Sequence, residues 1–265
     1  MKNVLKGIII GAAMLVPGVS GGTMAIILNV YDRLLRGVSN FTKDVKRYGV
    51  LLLQFAFGGL VGIVALSGLL LDLVTAYERT MMYLFLGAIA GSVFPLYRKA
   101  TIDRVKPVNI VAAAIGFICC ALIMFIPKEL FSFGAELTAS SFFMLILAGV
   151  IVAVAIVLPG ISASYVLLML GMYDVTLHAI RYMELFYLAP LGIGALVGTF
   201  VTAGILERAM RRHPQFTYML IIGFVLGSLI DVFPGLPGTG DAVSCLLAAA
   251  AGFGTVYWLG MKARD

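Results

Sequence analysis

At 265 residues, with 62% hydrophobic and 12% charged residues and a mean hydropathy of +1.07, the chain carries far less charge than a water-soluble domain, in which roughly a quarter of residues are charged. That balance marks an integral membrane protein and excludes a soluble enzyme, a disordered region, a nucleic-acid binder and a disulfide-stapled secreted domain. The net charge of +6 then has to be read as a topology signal.

The first apolar stretch, about 4–31, follows Lys2 and Lys6. It has no small-x-small cleavage site and is interrupted by Pro17-Gly18, so it reads as structure and not as a secretory signal. Spanning runs are expected at about 48–76, 80–97 and 108–126, each near the roughly 20 apolar residues that cross a hydrocarbon layer about 30 Å thick. A second interrupted stretch, about 140–173, carries Pro159-Gly160, and three more spans are expected at about 185–206, 216–233 and 242–260. The cysteines Cys119, Cys120 and Cys245 all sit in apolar runs with neither metal-ligand spacing nor a disulfide framework, and read as small core residues.

Charge decides how the two interrupted stretches lie. Basic residues gather at Lys2 and Lys6, at 33–47, at 98–106, at 208–212 and at the C-terminus, with Arg79, Lys128 and Arg181 standing apart. If both stretches are hairpins that return to the side they entered from, sixteen of the nineteen Lys and Arg fall on the cytoplasmic side, as the positive-inside rule requires. The arms flanking each break are short, and at about 1.5 Å per residue the shorter ones reach only mid-membrane. The first hairpin is expected to enter from the cytoplasm and the second from outside, with both termini cytoplasmic.

The chain also repeats itself. An offset of 142 matches Pro17, Gly18, Ser20, Tyr31 and Asp32 with Pro159, Gly160, Ser162, Tyr173 and Asp174; an offset of 136 matches Gly58, Gly62, Gly87 and Gly91 with Gly194, Gly198, Gly223 and Gly227. The expected fold is an all-α polytopic membrane protein of two inverted repeats. Residues 1–130 form the first, with hairpin 4–31, and 138–265 the second, with hairpin 140–173. Each repeat adds three transmembrane helices, and the two form one integral membrane domain. Three crossings per half invert the second repeat, which is the plan of secondary transporters.

Backbone that leaves the helix inside lipid must be received by protein or a watery cavity, because each unsatisfied polar group costs several kcal/mol. Proline ends one half-helix and opens another. The new N-termini therefore bring free N–H groups and small hydroxyl residues to mid-membrane, a cradle for an anionic group. The candidate substrate-binding residues are Pro17, Gly18, Ser20, Gly21, Gly22 and Thr23 in one copy, and Pro159, Gly160, Ser162 and Ser164 in the other, with Ala163 between the last two.

The stretch Gly11-Ala-Ala-Met-Leu-Val-Pro-Gly-Val-Ser-Gly-Gly-Thr-Met-Ala25, continuing to Tyr31, with Leu158-Pro-Gly-Ile-Ser-Ala-Ser164 and Gly171-Met-Tyr173, resembles the PopT-type polyprenyl-phosphate transporters, a bacterial family, over essentially the full length. Ala163 and Asn29 stand where that family's pattern has glycine. The resemblance implies a flippase of the bacterial cell membrane. It would return undecaprenyl phosphate, the carrier lipid of cell-wall synthesis, from the outer to the cytoplasmic leaflet, the phosphate in the cradle and the tail in lipid. The same cradle would also serve a secondary transporter of a small soluble anion; a lipid carrier needs a cleft open sideways to the bilayer, a solute carrier a closed vestibule.

The remaining polar residues carry ordinary readings. Asp72, Glu207 and Arg208 are expected as helix-end charges at the headgroups, Tyr31 and Tyr173 in the interfacial aromatic belt, and Gln54 either packed against a neighbouring backbone or in contact with the ligand. Arg33 and Arg36, after the first hairpin, either meet the lipid phosphate on the cytoplasmic side, as Arg181 would outside, or serve as ordinary topology charges, which is the expected reading. His178 and His213 fall in separate loops and cannot share a metal, and no histidine–acid pair or acidic cluster suits phosphatase or transferase chemistry. The expectation is therefore no catalytic residue, no metal, no cofactor and no nucleic acid. The expected partners are a polyprenyl phosphate lipid and the bilayer, with a coupling proton or cation left open.

Overall fold

The computed structural model describes residues 2–14, 20–100, 105–125, 139–238 and 240–262. Pro17 and Gly18 lie outside the described residues. All the described secondary structure is helical. In chain order it is α1 (Lys2–Ala13), α2 (Gly21–Ile27), α3 (Tyr31–Ser39), a short 3-10 turn (Phe41–Lys43), α4 (Val45–Ala76), α5 (Glu78–Lys99), α6 (Pro107–Phe125), α7 (Ala139–Val157), α8 (Ala163–Met169), α9 (Tyr173–Tyr182), α10 (Leu185–Arg212), α11 (Pro214–Val232) and α12 (Ala242–Lys262).

Five of these helices are long and apolar enough to cross a membrane: Val45–Leu66 of α4, then α5, α10, α11 and Ala242–Met261 of α12. The sixth expected span is the helix α6, whose apolar stretch Pro107–Leu122 is shorter. Local sequence explains the ends. Asp44 caps α4 by accepting from the Arg47 N–H at 3.0 Å, and Pro214 opens α11, where a missing N–H costs no hydrogen bond. One face of α4 is apolar and exposed, through Leu53, Phe57, Leu60 and Val64. That i, i+4, i+7, i+11 spacing is a single helical stripe turned toward lipid.

Lipid tails are as apolar as leucine, so helices inside a bilayer associate by close packing, which small residues permit. α1 packs along α4, α7 along α10, α5 along α12 and α6 along α11. Gly58 of α4 lies so near the Val4 carbonyl of α1, and Gly194 of α10 so near the Ile146 carbonyl of α7, that a Cβ on either would overlap the oxygen. Gly87 of α5 meets the Ala249 carbonyl of α12 in the same way, and Gly223 of α11 the Ala113 carbonyl of α6. Every partner in the second contact of each pair is displaced from its counterpart by 136 or 142 residues, the offsets at which the sequence matches itself.

The core lies where α2 and α11 run between the paired helices. Six of the seven residues of α2 are buried, from Gly22 to Ile27, and α11 buries ten. Both helices that follow a break are seven residues long, about 10 Å at ~1.5 Å per residue, which is far short of a bilayer. α8 then bends by 117° into α9, at Gly171, whose φ of 65° is left-handed. Its counterpart at the 142 offset, Asn29, has φ 54°. Asparagine is one of the few side chains that adopt this region readily, so the chain turns at both places although only one is glycine.

The structure corrects the readings of Tyr31, Glu207 and Cys119. Tyr31 is 5% exposed, not part of an aromatic belt. Glu207 is also 5% exposed, because α10 continues past the expected end to Arg212 and Arg211 reaches back to it at 3.1 Å. Cys119 is exposed on α6, while Cys120 and Cys245 are buried as expected.

Candidate functional site

The second break begins where α7 stops. The Leu158 N–H still donates to the Val154 carbonyl, but Pro159 has no N–H, and Gly160 turns to φ +86°. Three backbone groups there lose their helical partners inside an apolar bundle, and each finds a replacement elsewhere in the chain. The Val157 carbonyl accepts from the Tyr31 hydroxyl at 2.9 Å. The Gly160 N–H is shared between Thr23 Oγ1 at 3.0 Å and Ser20 Oγ at 3.3 Å. The Gly160 carbonyl accepts from the Cys120 thiol at 3.3 Å.

Ser20 and Thr23 are themselves organised by α2. Ser20 is its N-cap, in extended backbone at φ −87° and ψ 146°, and its Oγ accepts from the Thr23 N–H at 3.1 Å. The two hydroxyls are 2.9 Å apart and hydrogen-bonded to each other. Both are buried, Thr23 at 1% and Ser20 at 8% exposure. Gly22 completes the seat, since a Cβ on it would lie 3.2 Å from the Pro159 Cα. Ser20, Gly22 and Thr23 of the first motif thus meet Pro159 and Gly160 of the second, while Gly21 faces Met14.

The second motif uses its hydroxyls differently. Ser162 has nearly the same N-cap backbone, φ −86° and ψ 128°, but makes no side-chain cap bond. Its Oγ pairs instead with Ser164 Oγ at 2.9 Å. Ser162 is partly exposed and Ser164 exposed, and both line a cavity of about 320 Å³ together with Ser20, Gly21 and Gly22.

That cavity is of the size that takes small ligands, ~300 Å³ upward. Its polar edge is the serine cluster, with Thr199 of α10 and Tyr31. Its walls are aliphatic: one face of α3 through Leu34, Leu35 and Val38, the last turn of α7 through Ala155, Ile156 and Val157, and Ile10 of α1. The described lining residues include no charged side chain. Met14 and Ile156, at the C-terminal ends of α1 and α7, lie on its rim at 51% and 46% exposure. Such a chamber offers hydroxyl and amide dipoles at one end and hydrocarbon elsewhere, a match for an amphiphile with a small polar head.

Sequence reasoning missed Tyr31, Cys120 and Thr199 as parts of this site. Tyr31 carried a signal, since it matches Tyr173 at the 142 offset; Cys120 and Thr199 carried none. Gln54 does not meet backbone but accepts from Asn3 Nδ2 at 2.7 Å. His178 lies on α9 and not in a loop, and, against the expectation of no histidine–acid pair, it pairs with Glu184 at 3.1 Å; the described residues contain no group of three His, Cys, Asp or Glu able to hold a metal.

A family model described as VCA0040-like, undecaprenyl phosphate translocase-like, matches residues 10–241. A curated Staphylococcus aureus protein named polyprenyl-phosphate transporter is 33% identical over 245 residues, covering 89% of this chain and 87% of that one. A Vibrio cholerae protein of the same name is 28% identical over 253 residues, covering 88% of this chain and 78% of that one. No solved structure matches significantly.

Proposed function

The chain belongs to the undecaprenyl phosphate translocase-like family, and from that premise we propose that it is a flippase for undecaprenyl phosphate, returning the carrier lipid from the outer to the cytoplasmic leaflet of the bacterial cell membrane for cell-wall precursor synthesis. The names of its two relatives, polyprenyl-phosphate transporters both, support this substrate class. The observation that carries the reading is the meeting of Ser20 and Thr23 with Gly160 of the second Pro-Gly break beside one cavity, serine-edged and otherwise aliphatic.

In this reading the phosphate sits at the serine edge, where Ser162, Ser164 and the first N–H groups of α8 replace part of its hydration. Pro17 and Gly18, expected in the same cradle from the sequence, lie outside the described residues. The prenyl tail leaves over Met14 and Ile156, whose exposure at the rim favours a cleft open sideways to lipid over a closed vestibule for a soluble anion. The protein works without catalytic chemistry, with both termini cytoplasmic and two inverted repeats, 1–130 and 138–265. The recurrence of glycine–carbonyl contacts at the sequence offsets supports that duplication, and rocking of one repeat against the other would expose the cradle to each leaflet in turn.

The test is reconstitution into unilamellar vesicles holding a fluorescent polyprenyl phosphate, followed by external phosphatase. Active protein should make the inner-leaflet pool accessible as well as the outer. An unchanged inner pool, together with uptake of inorganic phosphate or a carboxylate, would transfer the function to a soluble anion. Ser162→Ala with Ser164→Ala should slow lipid movement at least tenfold, while Lys43→Ala, at an exposed side chain bonded to Asn40, should leave it unchanged.

A further inference from the structure

α3 has two faces, and the cavity described above uses one of them. Tyr31, Leu34, Leu35 and Val38 line that chamber, while Arg33 and Arg36, on the opposite side of the helix, line a second cavity of about 360 Å³. Arg47, Tyr48 and Gln54 of α4 and Asn3 of α1 complete its polar lining.

The charge in this second cavity is one-sided. Among the described residues, no carboxylate forms an ion pair with Arg33, Arg36 or Arg47. The acids beside them in sequence, Asp32 and Asp44, are engaged elsewhere through at least one carboxylate oxygen each. The Asp32 carboxylate is held by Lys99 at 2.6 Å, and Asp32 offers Arg36 Nε only its backbone carbonyl, at 3.2 Å. The Asp44 carboxylate accepts from the backbone N–H of Arg47 as a helix cap. The Arg47 guanidinium lies 5.9 Å from the Tyr48 ring centroid, steered toward the cavity wall by its own neighbour. Asn3 and Gln54 form an amide pair that leaves the Gln54 NH2 without a partner among the described residues.

Three uncompensated guanidiniums around one concavity raise its potential and draw anions. Guanidinium forks match phosphate oxygens in geometry and bind them by charge-assisted pairs, where a lysine would offer only a point charge. We propose that the cavity between α1, α3 and α4 is a second phosphate site, separate from the serine-edged cradle, built on Arg33, Arg36 and Arg47 with the Gln54 amide. Its ligand is a phosphate monoester, as a lipid headgroup or as free phosphate. As a handover point for the transported lipid it rests on the translocase reading; as a phosphate site it does not.

The site can be read directly. The chain has one tryptophan, so Tyr48→Trp in a Trp258→Phe background puts the sole indole in this cavity wall. The full chain in detergent at low salt is titrated with farnesyl phosphate, farnesol and inorganic phosphate. A saturable fluorescence change with farnesyl phosphate, weakened at least tenfold by Arg33→Gln with Arg36→Gln and untouched by Lys43→Gln, is the expected result. An equal response to inorganic phosphate at the same concentrations assigns the site to the free anion; response to farnesyl phosphate alone assigns it to a lipid headgroup. A response that farnesol reproduces, or that survives both arginine changes, overturns the proposal and leaves the translocase reading standing. An arginine-dependent response in a protein that moves no lipid in vesicles would remove the translocase reading and leave this site in place.

Discussion

The hydroxyl of Tyr31 donates at 2.9 Å to the carbonyl oxygen of Val157, 126 residues away, and thereby satisfies the carbonyl that α7 orphans when it breaks at Pro159. A buried acceptor without a donor costs about 1–3 kcal/mol. Tyr31→Phe keeps the ring packing and removes only the donor, so it should lower unfolding stability in detergent by that amount, read by thermal or denaturant unfolding of the purified protein. Tyr173→Phe, at the matching position but not bonded in this way, should cost much less.

Ser20 and Thr23 share one N–H, that of Gly160, and shared partners do not add. Thr23→Val and Ser20→Ala singly leave Gly160 one acceptor each, whereas the double variant leaves none. A double-mutant cycle should therefore give a coupling energy of about 0.5–3 kcal/mol, the double variant losing more than the two singles combined. Strict additivity would mean that Gly160 finds water or another acceptor.

Glycines at helix contacts and glycines facing open space should respond to alanine in opposite directions. A Cβ at Gly58 or Gly194 overlaps a carbonyl of the facing helix, while one at Gly254 meets nothing within 4 Å. Gly58→Ala and Gly194→Ala should each destabilise by about 1–3 kcal/mol or more through forced separation of the pair. Gly254→Ala should be neutral or stabilising by up to about 1 kcal/mol, from helix propensity alone. Melting temperatures of the three variants decide it.

The left-handed turns at Asn29 and Gly171 make a matched comparison. Gly171→Ala forces a β-carbon into that conformation and should cost about 1–2 kcal/mol, whereas Asn29→Gly should shift stability by less than about 1 kcal/mol, because the strain it relieves and the chain entropy it adds oppose each other. Thermal unfolding of the two purified variants measures both.

Membrane sidedness is tested by single cysteines in a background lacking Cys119, Cys120 and Cys245. Under the hairpin reading, cysteines replacing Lys2 and Asn40 react with an impermeant maleimide from the same face of the membrane. Labelling from opposite faces would discard the hairpins and, with them, the inverted repeats.

Composition and periodicity alone determined that this is a helical membrane protein, and the runs at 48–76, 80–97, 185–206, 216–233 and 242–260 fall on α4, α5, α10, α11 and α12. They were legible because a span in hydrocarbon must be apolar along its whole length, a local property that neighbours do not alter. The position of the second break was legible for a related reason, since proline constrains its own backbone wherever the chain goes.

Tertiary structure decided which groups close those breaks. Ser20 bonds Thr23 and is spent on Gly160, whereas Ser162 pairs with Ser164 at the cavity edge; the sequence shows that the flanking residues differ, Thr23 against Tyr165 and Gly22 against Ser164, but not that Gly160 arrives at the first motif and leaves the second as lining. The same holds for Tyr31, whose aromatic-belt reading failed because a partner 126 residues distant buries it. Hydrogen-bond satisfaction in a low-dielectric interior is a long-range condition, met by whichever donor the packing of glycine-lined helices delivers, and a linear sequence does not carry that geometry.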